Sequence, residues 1–174
     1  MSADDPEGVP AAPRFAPLDP GDVAGLSGLE ALRLMRDGRL PAPPMARLAR
    51  MRLVRVEEGE VAFAGEPDET MLNPLGTVHG GWTATLLDSA MACAVHATLK
   101  PGEGYTTLEF KLNFVRAVLP GSGAVRAEGR VIHRARRTAT SEGRLLDAQG
   151  RLLAHGTETC LVFEAPAAPP ARGS

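Results

Sequence analysis

Apolar residues recur along this chain with two different spacings. Leu26, Leu29, Leu32 and Met35 fall three apart, which predicts a helix over 26–36 with Ser27 as its cap and Gly38 as its stop. Residues 80–96 are small or apolar on nearly every face (Ala84, Leu86, Leu87, Ala90, Met91, Ala94, Val95), which predicts a long buried helix. Elsewhere the period is two. Residues 51–57 and 60–64 read as short strands around Glu58-Gly59. In 106–114, Leu108, Phe110, Leu112 and Phe114 alternate with Glu109, Lys111 and Asn113, so Thr107 is expected in phase with the polar face. Residues 123–133, 138–146 and 151–163 complete the set, the last two joined by an Asp147-Ala148-Gln149-Gly150 turn. The order β-β-α-β-β-β-β implies an α+β domain, an antiparallel sheet wrapped around one central helix.

The ends have a different character. Residues 1–22 contain five prolines and read as a disordered or extended tail, and 164–174 read similarly. Residues 23–47 form a helical extension with a linker at Pro41, Pro43 and Pro44, and residues from 45 to 50 suit a further helical turn. The domain proper is expected over 48–163.

Composition narrows the function by exclusion. A net charge of −2 and an aromatic content of 4% give no footing for nucleic acid or an anionic membrane. No apolar run is long enough to span a bilayer, and the N-terminus lacks the positive region of an export signal. Cys93 and Cys160 lie in apolar surroundings and match no zinc spacing, so both read as buried reduced thiols of a cytoplasmic protein, with no metal or cofactor.

The richest stretch is 73–88, Asn-Pro-Leu-Gly-Thr-Val-His-Gly-Gly-Trp-Thr-Ala-Thr-Leu-Leu-Asp. Gly80 and Gly81 open the long helix, where backbone N–H groups are free and the dipole is positive, a setting suited to a negative oxygen. Asp88 follows on a helix of small and apolar neighbours, where a carboxylate is costly to desolvate and thereby becomes a better base. Carbonyl chemistry is the natural reading. His79 suits a structural or carbonyl-adjacent role better than catalysis by its ring. Asn73, before Pro74, is either turn chemistry or an amide that holds a carbonyl or water.

With Asn six residues before His79 and Asp nine after it, the stretch resembles the PaaI-type hotdog-fold acyl-CoA thioesterases. Gly-Tyr-Thr-Thr-Leu-Glu at 104–109 and Leu-Leu-Ala-His-Gly-Thr at 152–157 fit the same pattern. The resemblance covers roughly 48–163. It implies a homodimer, often paired into a homotetramer, that hydrolyses an aryl- or medium-chain acyl-CoA without metal. By resemblance, Asp88 is base or nucleophile, the Gly80 amide polarises the thioester carbonyl, and Asn73 and Thr107 position carbonyl and water.

Around these residues, Gly81 and Trp82 are expected at the substrate, Trp82 as core or acyl-pocket wall. Arg136 and Arg137, in the basic turn after Arg134, are expected to hold coenzyme A phosphates. Asp88 lies eight residues past Gly80, about 12 Å along a helix. One helix therefore does not bring both to one carbonyl, and the site is expected to combine Asn73, His79 and Gly80 of one chain with Asp88 and Thr107 of another. A non-catalytic acyl-CoA-binding module is the rival from a different class. A hotdog hydratase is disfavoured, because the Asp-x-x-x-x-His pair typical of such enzymes is absent and His96 lies eight residues beyond Asp88.

Overall fold

A computed structural model describes residues 14–165. The tails expected over 1–13 and 166–174 lie outside the described residues. Helices α1 (Pro20–Val23), α2 (Gly28–Arg36) and α3 (Pro44–Leu48) precede strands β1 (Met51–Glu57) and β2 (Glu60–Gly65). Helix α4 (Gly80–His96) follows, then β3 (Glu103–Phe114), β4 (Val125–Arg134), β5 (Thr138–Leu146) and β6 (Leu152–Glu164). All strand pairs are antiparallel, in the spatial order β1-β2-β4-β5-β6-β3. The sheet curls around α4, giving the single α+β domain that the periodicity predicts, in the hotdog arrangement that the resemblance implies.

Helix α4 is held by an apolar face that is buried against the sheet. Leu86, Leu87, Ala90, Met91, Ala94 and Val95 are all fully buried. The helix sits unusually close to the sheet. A Cβ on Gly129 of β4 would lie 2.1 Å from the Ala90 carbonyl oxygen, and one on Gly143 of β5 would lie 2.8 Å from Met91 Cγ. Two bare positions on neighbouring strands thus make the groove that receives the helix.

The helical extension packs on this core. Ser27 caps α2 in a capping box with Glu30, and Leu32 is buried in the central cluster. Residues 14–22, expected as tail, carry order: Phe15 pairs with Ala42, Ala16 N–H donates to the Ala42 carbonyl at 3.0 Å, and α1 follows. Phe15 finds apolar cover against the core, which proline counting along the segment cannot foresee. At the other end β6 runs on to Glu164, and β3 begins at Glu103, ahead of the expected start at 106.

Strand β3 departs from simple alternation. Its register with β6 slips between Thr107 and Glu109, so Leu108 is the extra residue of a bulge. The bulge reverses the phase. Thr107, expected with the polar face, turns toward α4, while Leu108, Phe110 and Phe114 are 57%, 42% and 60% exposed. Because β3 is also an edge strand, its outer hydrogen-bonding groups and this apolar row are both unpaired in one chain. Among the described residues, no helix is long and apolar enough to cross a membrane.

Candidate active site

Asp88 projects from α4 into a cavity of about 500 Å³. Thr107, Tyr105, Ser89 and Cys93 line it beside Asp88, and Leu18, Leu32, Met35, Met51 and Phe63 close the far wall. Much of that wall is therefore built by the N-terminal extension. Burial pushes the Asp88 carboxyl above the ordinary aspartate range, and the nearby Thr107 hydroxyl pulls it partly back. His96, at the end of the same helix, is held below its ordinary value by desolvation, so its imidazole is neutral near pH 7.

Behind Thr107 stands an acid that sequence reasoning missed. Glu158 of β6 is 1% exposed, and its Oε1 accepts from Thr107 Oγ1 at 2.8 Å and from Cys160 Sγ at 3.2 Å. Burial is the main force raising this carboxyl to about 7, and the nearby Asp88 and Glu109 charges add to it. The signal was present in the sequence: Glu158 is in phase with Ala154, Cys160 and Val162 on the buried face of β6.

The glycine turn forms a second, separate cavity of about 300 Å³, lined by Asn73, Thr77, Val78, Gly80, Phe114, Arg116 and Val118 among others. His79 is the N-cap of α4, and its Nδ1 accepts the Gly81 N–H at 2.8 Å. That bond uses the Gly81 donor, so the ring is a helix cap and Gly81 has no free N–H to offer a substrate. The Gly80 N–H has no acceptor among the described residues. It points out of the first turn, where the helix dipole favours negative charge.

Asn73 is largely committed to its own turn. Its Oδ1 accepts from Leu75 and Thr77 N–H, and its Nδ2 donates to Thr77 Oγ1 at 2.7 Å. One amide hydrogen is left over. Trp82 lines neither cavity. It is buried, with Nε1 donating to the Ala49 carbonyl at 2.8 Å, so it ties α4 to the segment before β1. Arg136 and Arg137 are exposed and line neither cavity, while Arg134 pairs with Glu103 at 3.0 Å. The guanidinium beside the Gly80 cavity is that of Arg116, which sequence reasoning did not single out.

One chain thus brings Asp88 and Thr107 together and brings Asn73, His79 and Gly80 together, but it holds the two groups apart. The thioesterase superfamily profile matches residues 75–154, which include Gly80, Asp88 and Thr107. The chain is 30% identical to a phenylacetic acid degradation-related protein of Ralstonia eutropha JMP134, covering 75% of this chain and 98% of that one, with a TM-score of 0.68. The chain belongs to the thioesterase superfamily. Its fold also matches Escherichia coli PaaI at 20% identity and a TM-score of 0.64, over 70% of this chain and 85% of that one. A Streptococcus mutans protein, solved bound to acetyl-CoA, matches at 24% identity and a TM-score of 0.60, over 67% and 91% of the two chains. No curated protein matches the sequence. The protein is a PaaI-type hotdog thioesterase, a thioester hydrolase.

Proposed function

We propose that the enzyme is a cytoplasmic acyl-CoA thioesterase that cleaves an aryl- or medium-chain acyl-CoA at a site shared by two chains. The observation that carries this reading is the separation of the two half-sites. Asp88 and Thr107 open into one apolar cavity, and the unpaired Gly80 N–H opens into another. They stand about 12 Å apart along α4, too far to serve one carbonyl. A second chain docked along the exposed β3 edge covers Leu108, Phe110 and Phe114 and brings its own Gly80 to this Asp88. Dimers of this kind can pair again into tetramers.

In this site the Gly80 N–H, at the positive end of the helix, stabilises the oxyanion as the carbonyl becomes tetrahedral. Asp88 takes a proton from water as the water oxygen bonds to the acyl carbon. The C–S bond then breaks, the thiolate leaves, and the proton held by Asp88 passes to sulfur. The products are a free acid and a thiol. Desolvation suits Asp88 to this task, because it raises the carboxyl toward the working pH. The apolar wall of Leu18, Leu32, Met35, Met51 and Phe63 supports an acyl group of medium length or an aryl group. Arg116 beside Gly80 is the better-placed side chain for a coenzyme A phosphate than Arg136 or Arg137.

The test is a panel of acyl- and aryl-CoA thioesters with detection of free thiol, run on wild type and Asp88→Asn. Turnover in wild type and its loss in the variant are expected. Binding without turnover on every thioester would instead make the protein an acyl-CoA-binding module. The shared site has its own test. Asp88→Asn and Gly80→Val chains, each inactive alone, form mixed dimers with one intact site, so an equal mixture regains about a quarter of wild-type activity. No recovery in the mixture sinks the two-chain site.

A further inference from the structure

Glu158 has no part in the steps above, yet it touches Thr107, which lines the same cavity as Asp88. It lies on β6 behind Thr107, at the back of the Asp88 cavity, and its Oε2 is buried with no hydrogen-bond partner among the described residues. Ser141 Oγ is equally buried and unpartnered, and Ser141 stands directly opposite Glu158 in the β5–β6 ladder. The titratable and polar groups that face Glu158 are Asp88 and Cys93 of α4, Tyr105, Thr107 and Glu109 of β3, Ser141 of β5 and Cys160 of its own strand. None is a cation. A carboxyl so placed is costly, and an apolar side chain of the same size would serve the core better.

We propose that Glu158 is a positioning residue that sets the direction of the Thr107 hydroxyl, and so decides whether Thr107 holds the attacking water or masks the base. The proposal rests on the role given above to Asp88 and on the water-positioning role that the resemblance implies for Thr107. A threonine hydroxyl has one hydrogen to give. Given to Glu158, at 2.8 Å, it leaves the Oγ1 lone pairs facing the cavity. A water there then donates one hydrogen to Asp88 and the other to Thr107, and keeps a lone pair for the acyl carbon. Given instead to Asp88, the same hydrogen occupies the base and lowers its basicity.

The charge on Glu158 chooses between these arrangements. Ionised, Glu158 is a strong acceptor and draws the hydroxyl to itself; protonated, it is a weak one and releases the hydroxyl to Asp88. Its desolvated position places this change near pH 7. Activity therefore rises as Glu158 loses its proton. The two carboxyls also repel through the shared hydroxyl, so their ionisations are linked.

The experiment measures kcat and KM from pH 5 to pH 9 on the best wild-type thioester, for wild type, Glu158→Gln and Glu158→Leu. Glutamine offers Thr107 an uncharged oxygen, as protonated Glu158 does, so kcat at neutral pH should fall toward the acid-side value of wild type, and the acid limb, left to Asp88, should move down by about one pH unit and become shallower. Leucine removes the acceptor, and kcat should fall roughly 10- to 100-fold with KM little changed. Adding Thr107→Val to Glu158→Leu should cost nothing further, because both changes break the same link. A merely structural Glu158 leaves the acid limb in place in the glutamine variant, and that result overturns the proposal, as do losses that multiply in the double variant. Where the leucine variant does not fold, the glutamine profile decides. Absence of wild-type turnover would overturn the acyl-CoA reading and this assignment together, whereas turnover with an unmoved limb overturns this assignment alone.

Discussion

Replacing Glu158 with glutamine removes one ionisable group from the interior and leaves its shape almost unchanged. The consequence for stability follows from proton linkage. In the unfolded chain this carboxyl titrates at the ordinary 4.5, and in the fold at about 7. At low pH both states keep the proton and the group contributes nothing. As pH rises past 4.5 the unfolded chain releases a proton that the fold retains, so stability falls. The loss is complete once pH passes about 7 and the folded carboxyl ionises too. At ~1.36 kcal/mol per pH unit, the full cost is about 3 kcal/mol. Glutamine does not titrate, so the variant should match wild type near pH 4 and be more stable at pH 8. For a chain of this size the gap corresponds to a Tm higher by roughly 6–12 °C. Thermal melts of both proteins in matched buffers from pH 4 to pH 8.5 measure it. Asp88 is present in both proteins, so its own titration largely cancels in the difference. A Tm difference that stays flat with pH, or grows as pH falls, refutes the argument.

Three further outcomes are expected. Asp88→Asn should lower kcat by about 10² to 10⁴ while leaving the far-UV spectrum and melting temperature near wild type, and a variant that only weakens KM would count against a base at this position. Gly129→Ala puts a methyl 2.1 Å from the Ala90 carbonyl oxygen, so a destabilisation of about 1–3 kcal/mol or more should appear in denaturant unfolding, and an unchanged midpoint would mean that α4 sits further from β4. Met35→Trp narrows the far wall of the Asp88 cavity, so the preferred acyl group should become shorter with kcat on the shortest thioester retained; an unshifted preference would remove the extension from the acyl site.

Much of the fold was legible because burial leaves a periodic trace. The apolar run over 80–96 could only be a buried helix, and period-two alternation located the strands around it. The ordered segment at 14–22 has no local signature, because Phe15 and Ala42 are distant in sequence and their pairing leaves no local pattern. Alternation puts Thr107 on the polar face, but a bulge adds one residue, and one residue reverses everything beyond it in a strand.

The site divides in the same way. Asp88 and the free donor at Gly80 follow from the sequence, since an acid on an apolar helix and glycines at a helix start have local physical meanings. The helical rise alone also places them too far apart for one carbonyl. The use of the Gly81 N–H by His79, the bonding of Asn73 within its own turn and the withdrawal of Trp82 into the core are decided by contacts with specific partners. Glu158 shows the division most clearly. Its phase on β6 marks it as inward-facing, but only tertiary packing sets it behind Thr107, because β3 and β6 are joined across the sheet by residues that lie 51 apart in the chain.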